Sequence, residues 1–359
     1  MQKSKIIILS EHVRSGKTTA LLNWINSNDN VDGILSPDIN NIRRLLFIRD
    51  LHLIEFETLK EQDIIEVGRF KFLKKSFDNG NEYLKKIVPI ANGNIIIDEI
   101  GKLELNEMGS YDGLVSCLNC VKNSDEKFNL ILVVRDTLLQ AVIEKFNLHD
   151  ATVISKKELD YTDFSVLKNN ISGLVLCGGK STRMGVDKAF LNYHGTEQYK
   201  YVADLFEKMN LSVFISCNSK QQVEISSSYD TITDNEEYNN SGPVGGLLSA
   251  FKIYNTTSFI VAGCDYPHLN SNHINQLLSL SRFGFDAVCF VSNETPNLLE
   301  PLLTYYHFSC ADKLTAYYNN GNTSLNKFLS TIKTIKIVAE DNLFLKSYDS
   351  QDDFKTFVL

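Results

Sequence analysis

Hydrophobic residues along this 359-residue chain gather in short runs, not in long stripes. The runs at 6–9, 95–97, 130–134, 173–176, 213–216, 259–262 and 287–291 are β-branched or aromatic-rich, and most lead into a polar or glycine-bearing turn. Continuous apolar segments of about 4–8 residues are what strands covered on both faces of a parallel sheet require. Helical patterns occupy 18–26, 137–146 and 198–209 between them. Strand–helix alternation predicts an α/β class with crossover units.

The pattern restarts once. Residues 156–170 are polar and charged with no strand signal, and 171–176 then opens a new strand that runs into a glycine loop. Two α/β domains are expected, 1–168 and 169–359, which share an architecture but no internal repeat. The length suits two domains. A hydrophobic content of 43% supplies a core for each.

Charge and cysteine usage narrow the function classes. A net charge of −8 gives no basic footprint, which argues against a nucleic-acid binder. The seven cysteines are odd in number and scattered, as in a reduced, cytoplasmic protein. Cys117 and Cys120 form a C-x-x-C with no second pair, weak grounds for a metal or redox site. The N-terminus lacks the features of a signal peptide, and no apolar run approaches the ~20 residues of a membrane span.

The densest chemical signal is LCGGKSTRMGVDKA at 176–189, between a strand and a helix. Gly178 and Gly179 allow close backbone approach to a ligand, and free N–H groups in such a loop cradle phosphates. Arg183 and Lys188 place two cations on the same loop, suited to a triphosphate and to charge that develops during transfer. Asp265 is a lone carboxylate at the end of an apolar strand, where open α/β sheets place ligand sites and where a hard oxygen ligand suits Mg²⁺. A helix N-cap is the competing role for Asp265, and turn or cap duty the competing role for Asn218 and Asp234.

This stretch resembles the molybdenum cofactor guanylyltransferase family, whose loop reads L-x-G-G-x-S-x-R-M-G-x-D-K. VFISCN at 213–218, TD at 233–234, SGPVGGLL at 241–248 and VAGCDYP at 261–267 resemble further motifs of that family in the same order. The resemblance implies a Rossmann-like nucleotidyltransferase with GTP and molybdopterin as substrates. It implies nucleotide contacts from Leu176, Cys177, Gly178 and Gly179, phosphate contact from Lys188, nucleoside recognition by Asn218 and Asp234, and Mg²⁺ on Asp265. Lys188 and Arg183 are the expected catalytic cations. The double glycine resembles the GTP users; related cytidylyltransferases carry Ala before the Gly. The tail departs from the family's N-x-N-T-P-x-D, reading SYDSQDD at 347–353, where Asp349 offers an alternative oxygen ligand. Implied partners beyond the substrates are molybdoenzymes or other cofactor-biosynthesis proteins.

The N-terminal half carries SEHVRSGKTT at 10–19, the back half of a P-loop opening a helix. Gly16, Lys17, Thr18 and Thr19 are its expected nucleotide ligands. Glu11 stands where the first glycine would be. NIIIDEIGKLE at 94–104 is an apolar strand ending in Asp-Glu, as in a Walker B element. Asp98 is the expected Mg²⁺ ligand and Glu99 the water-activating base. The string resembles the P-loop nucleoside-triphosphatase family, as do VGRF at 67–70 and LVVR at 132–135. NTP hydrolysis and a vestigial nucleotide- or partner-binding domain both remain open. For the whole chain the rival readings are a transferase using CTP or a sugar-phosphate acceptor, and a regulatory GTP-binding protein.

Overall fold

The computed structural model describes residues 5–124, 126–159, 170–177, 187–238, 241–295 and 297–348. The chain divides into two compact units, Met1–Val166 and Leu167–Leu359.

In the first unit the elements run β1 (Lys5–Glu11), α1 (Lys17–Ser27), β2 (Val31–Leu35), β3 (Asp38–Ile39), β4 (Ile42–Phe47), β5 (His52–Glu55), β6 (Ile64–Val67), β7 (Phe70–Leu73), α2 (Lys74–Lys85), β8 (Asn94–Ile100), α3 (Lys102–Leu105), α4 (Tyr111–Asn123), β9 (Asn129–Arg135), α5 (Leu139–Phe146) and β10 (Thr152–Ile154). Five strands form a parallel sheet in the order β10-β1-β9-β8-β2. β4 and β5 extend it antiparallel beyond β2, and β6 and β7 form a separate hairpin. The central strands are buried almost throughout, the condition that wrote their continuous apolar runs. Ile8, Ile97, Leu130 and Leu132 centre the core.

The second unit runs β11 (Asn170–Leu176), α6 (Gln198–Glu207), β12 (Ser212–Ser216), α7 (Ser219–Ile225), β13 (Asp230–Ile232), α8 (Pro243–Ile253), β14 (Thr257–Gly263), α9 (Ser271–Ser281), β15 (Ala287–Val291), β16 (Leu299–Tyr306), α10 (Cys310–Asn319), α11 (Leu325–Leu329) and β17 (Thr334–Val338). Its strand order is β17-β15-β16-β14-β11-β12-β13. All pairings are parallel except those of β16, which is antiparallel to both β14 and β15.

The sheets are therefore mixed, with antiparallel members beside the crossover units that the sequence pattern predicted. The physical cause is connection length. β15 reaches β16 through the short segment 292–298, which permits an antiparallel neighbour but not a helical crossover. The helix expected over 137–146 begins as a 3₁₀ turn at Asp136–Leu138 and becomes α-helical only from Leu139.

One glycine is required by the first sheet. Gly33 in β2 has φ +115°, and a Cβ there would lie 1.9 Å from the Ile96 carbonyl oxygen of the adjacent β8. No side chain fits without parting the two strands. Gly33→Ala is expected to destabilise the first unit by about 2–4 kcal/mol through backbone strain and overpacking, read as a lower denaturant midpoint.

Candidate active site

Strand register sets the second unit's site. Leu176 lies level with Ser216 and with Gly263, and Ser216 with Ile232. The residues that leave β11, β12, β13 and β14 therefore emerge along one carboxyl edge, the place where α/β sheets open a crevice. Cys177, Asn218, Asp234 and Asp265 all stand there.

Lys188 and Asp265 face each other across this edge, Nζ to Oδ2 4.0 Å, both only partly exposed. Lys188 opens a short 3₁₀ turn, Lys188–Phe190, whose N-cap is Asp187, with Oδ1 accepting from the Ala189 N–H at 3.1 Å. On the other side, Asp265 keeps its place because Gly263 has no side chain: a Cβ there would be 2.6 Å from Asp265 Oδ1. The Asp265 carbonyl accepts the Tyr348 N–H at 2.9 Å, which ties the chain after β17 to the strand end.

Gln221 bonds both Cys177, just after β11, and Asp187, just before Lys188, and sequence reasoning missed it. It is buried, and its Nε2 donates both to the Cys177 carbonyl at 3.1 Å and to Asp187 Oδ2 at 2.7 Å. One carboxamide thus holds the residue before the glycine loop and the residue after it. The available signal was the N-x-x-Q spacing from Asn218, a capping box. Asn218 Oδ1 caps α7 by accepting from the Lys220 and Gln221 N–H groups, while Asn218 N donates to Gln221 Oε1.

The other expected ligands have defined settings. Leu176 is the last residue of β11. Cys177 donates its N–H to the Ser216 carbonyl, and its buried thiol lies 3.2 Å from that of Cys264. Burial raises the Cys177 thiol well above its ordinary pKa, so it is a packed neutral group and not a nucleophile. Asp234 is exposed at the end of β13, and partial desolvation raises its carboxyl. Gly178, Gly179, Arg183 and Asp349 lie outside the described residues.

A second carboxylate, unforeseen from sequence, sits close by. Glu300 at the start of β16 accepts the Tyr266 hydroxyl at 2.6 Å; burial raises its pKa, and the Asp265 charge adds to the shift. Beyond it, a cavity of ≈ 310 Å³ opens among His268, His273, Gln276, Phe290, Asp341 and Phe344. His268 Nε2 meets the Tyr348 hydroxyl at 2.9 Å, so this cavity adjoins the Asp265 end of the edge.

In the first unit the loop from β1 to α1 turns through Arg14 at φ +60° and Gly16 at φ +87°. Lys17 Nζ folds back onto the carbonyls of Glu11 at 2.9 Å and His12 at 2.8 Å. Thr18 Oγ1 donates to Asp98 Oδ2 at 2.9 Å, which joins the loop to the end of β8. Asp98 is buried; desolvation, then the Glu99 charge, raises its pKa. Glu99 has φ +59°, and its Oε2 is held by Arg43 Nη1 at 3.3 Å and Arg135 Nη2 at 3.4 Å. Arg43 was missed from sequence. It is seated on Phe70, 4.9 Å from the ring centre, which gives the 67–70 motif a structural task. Thr19 lies in the first turn of α1.

Cys117 is buried in α4 with its thiol pushed up to about 12 by burial, and all seven cysteines are free. Among the described residues no group of three or more His, Cys, Asp or Glu could hold a metal ion, and no helix is long and apolar enough to cross a membrane.

Residues 173–335 match the model of the MobA-like NTP transferase domain, a span that contains Leu176, Lys188, Asn218, Asp234 and Asp265. The chain is 31% identical over 191 residues to a molybdenum cofactor biosynthesis bifunctional protein of Synechocystis sp., covering 53% of this chain and 54% of that protein. It thus spans about half the length of this relative. It is 27% identical over 172 residues to a probable molybdenum cofactor guanylyltransferase of Bacillus mycoides, covering 47% of this chain and 84% of the relative. The C-terminal part therefore carries a MobA-like NTP transferase domain and has molybdenum cofactor guanylyltransferase homologues. Among solved structures, a molybdopterin-guanine dinucleotide biosynthesis protein A from Archaeoglobus fulgidus has a TM-score of 0.44 at 22% identity, covering 52% of this chain and 96% of its own. A likeness at that score bears no weight on function.

Gln221→Leu keeps the size of the side chain but leaves the Cys177 carbonyl and the Asp187 carboxylate without their shared donor. The second unit is expected to lose about 1–3 kcal/mol, measured by urea unfolding. Gln222→Leu, whose Nε2 reaches only the Thr231 hydroxyl, is expected to lose less.

Proposed function

We propose that the second unit transfers GMP from GTP to molybdopterin and releases pyrophosphate. The observation that carries this reading is the Lys188–Asp265 pair at 4.0 Å on the carboxyl edge of a domain matched to NTP transferases. A terminal phosphate of the acceptor attacks the α-phosphorus of GTP, the new P–O bond forms, and the bond to pyrophosphate breaks. The nucleophile is already anionic, so no strong general base is needed. The protein's task is alignment and charge neutralisation.

Lys188 meets charge on the α-phosphate, and Asp187 with Gln221 hold its turn in place. Asp265 fits Mg²⁺: a single hard carboxylate oxygen leaves room for the waters and phosphate oxygens this ion keeps, while burial pushes the Cys177 thiol well above its ordinary value. Asp265 would hold this ion beside the phosphates, where it would supply charge withdrawal from the reacting phosphorus. Asp234, exposed at the same edge, accepts hydrogen bonds from guanine N1–H and N2–H₂, a donor pair adenine does not present. Supplied with molybdopterin and equal GTP, ATP and CTP, the protein is expected to form the guanine dinucleotide. A dominant cytosine product would move it to the CTP reading, and no product would favour a different acceptor. Asp265→Asn is expected to abolish transfer with the unfolding midpoint nearly unchanged. Near-normal activity at ordinary magnesium would refute the assignment.

The same reading gives the first unit an NTP site. Lys17 and the loop amides hold phosphates, and Thr18 with Asp98 offers two oxygen ligands, 2.9 Å apart, for the nucleotide's Mg²⁺. Glu99 positions the attacking water. Glu99→Gln is expected to lower NTP hydrolysis at least about tenfold while sparing binding, since only the water-positioning group is lost. Equal hydrolysis in the variant would remove Glu99 from that role.

A further inference from the structure

Glu11 stands at the position a phosphate-binding loop reserves for glycine, and its surroundings account for it. Glu11 is the last residue of β1, in register with Arg135 of β9, and is not among the described residues with left-handed backbone. The loop turns later, at Arg14 and Gly16, so position 11 does not need glycine's conformational freedom. What a carboxylate brings instead is a negative charge beside the place where phosphates would lie.

Lys156 meets both that carboxylate and the loop. The turn after β10, Lys156–Glu158, packs onto the loop through two bonds from one residue. The Lys156 N–H donates to Glu11 Oε1 at 2.9 Å, and the Lys156 ammonium donates to the Ser15 carbonyl. The ammonium also lies 3.7 Å from where a Cβ on Gly16 would be, directly against the loop. Burial works the other way, yet the Lys156 N–H and the charges of Lys156 and Lys17 hold the Glu11 carboxyl below its ordinary value. Lys17 spans one wall of the loop and Lys156 closes on the other.

We propose that Lys156 is a second phosphate-binding cation of this loop, brought there by Glu11, whose charge it offsets. This rests on reading the loop as a nucleotide site. The Glu11–Lys156 pair adds no net charge, so the loop keeps the positive balance that Lys17 provides. The ligand class is a nucleoside polyphosphate with its divalent cation. Its phosphate oxygens compete with the Ser15 carbonyl for the Lys156 ammonium, and the Glu11 carboxylate retains the Lys156 N–H throughout.

The test is a double-mutant cycle in the full-length chain, with MgATP and MgGTP binding followed by calorimetry. The component lost in Lys17→Ala is assigned to this loop. Lys156→Met is expected to weaken that component about tenfold or more, and Lys156→Arg to restore it to within about threefold. Glu11→Gln keeps the oxygen that accepts the Lys156 N–H but removes the charge. Combined with Lys156→Met it is expected to recover most of the lost affinity, the signature of coupled charges. A merely structural lysine would lower the unfolding temperature without such recovery. If the Lys17-dependent component survives in Lys156→Met unchanged, or the double variant binds as weakly as Lys156→Met alone, the proposal is overturned while the nucleotide site stands. If wild-type protein shows no Lys17-dependent binding of either nucleotide, the site reading fails and the proposal with it.

Discussion

A single neutral side chain holds the C-terminal site together. The Gln221 carboxamide donates to Cys177 on one side of the glycine loop and to Asp187 on the other. Cys177 is buried and Asp187 half-buried, and a carbonyl or carboxylate that loses water there gains from a replacing donor. Satisfying them with one donor group pins the loop ends and fixes the turn that starts at Lys188. The cation's position relative to Asp265 therefore depends on helix α7, whose cap Asn218 shares the same residue. This edge is in this way held by a backbone carbonyl, an amide and the Asp187 carboxylate.

The two proposed phosphate sites are built by different means. In the second, a cation and a carboxylate face each other across a strand edge. In the first, Lys17 folds onto loop carbonyls, and Asp98 receives Thr18. Glu99 sits in a left-handed conformation between two arginines. A residue at φ +59° costs of order 1 kcal/mol or more, and such strain concentrates at functional positions. Arg43 and Arg135 offset part of that cost by pairing with the displaced carboxylate.

Much of the fold was legible because buried parallel strands write continuous apolar runs. β1, β8, β9, β11, β12, β14 and β15 correspond to such runs. β16 did not announce itself: Glu300 and Pro301 interrupt its apolar pattern, and the Glu300 carboxylate is accommodated by the Tyr266 hydroxyl and the Leu302 N–H. β2 was hidden by Asp32 and Gly33, whose reasons are a tertiary contact with Tyr83 and the close approach of Ile96. Within the sites, motif residues could be named from spacing, since glycine loops and strand-end carboxylates recur locally. Arg43 and Lys156 could not, and the N-x-x-Q spacing marked Gln221 only as the Asn218 capping partner. Each acts on residues at least 34 positions away in the chain, so no local pattern records its partner.

The central claim is transfer at the α-phosphorus, and isotopic position tests it most directly. The Glu99→Gln protein, in which hydrolysis by the first unit is suppressed, is given molybdopterin with GTP labelled at the α- or the γ-phosphate. The account predicts α-label in a molybdopterin–guanine dinucleotide and γ-label in pyrophosphate, with both lost in Asp265→Asn. Release of γ-label as inorganic phosphate with no α-label on the pterin would contradict it.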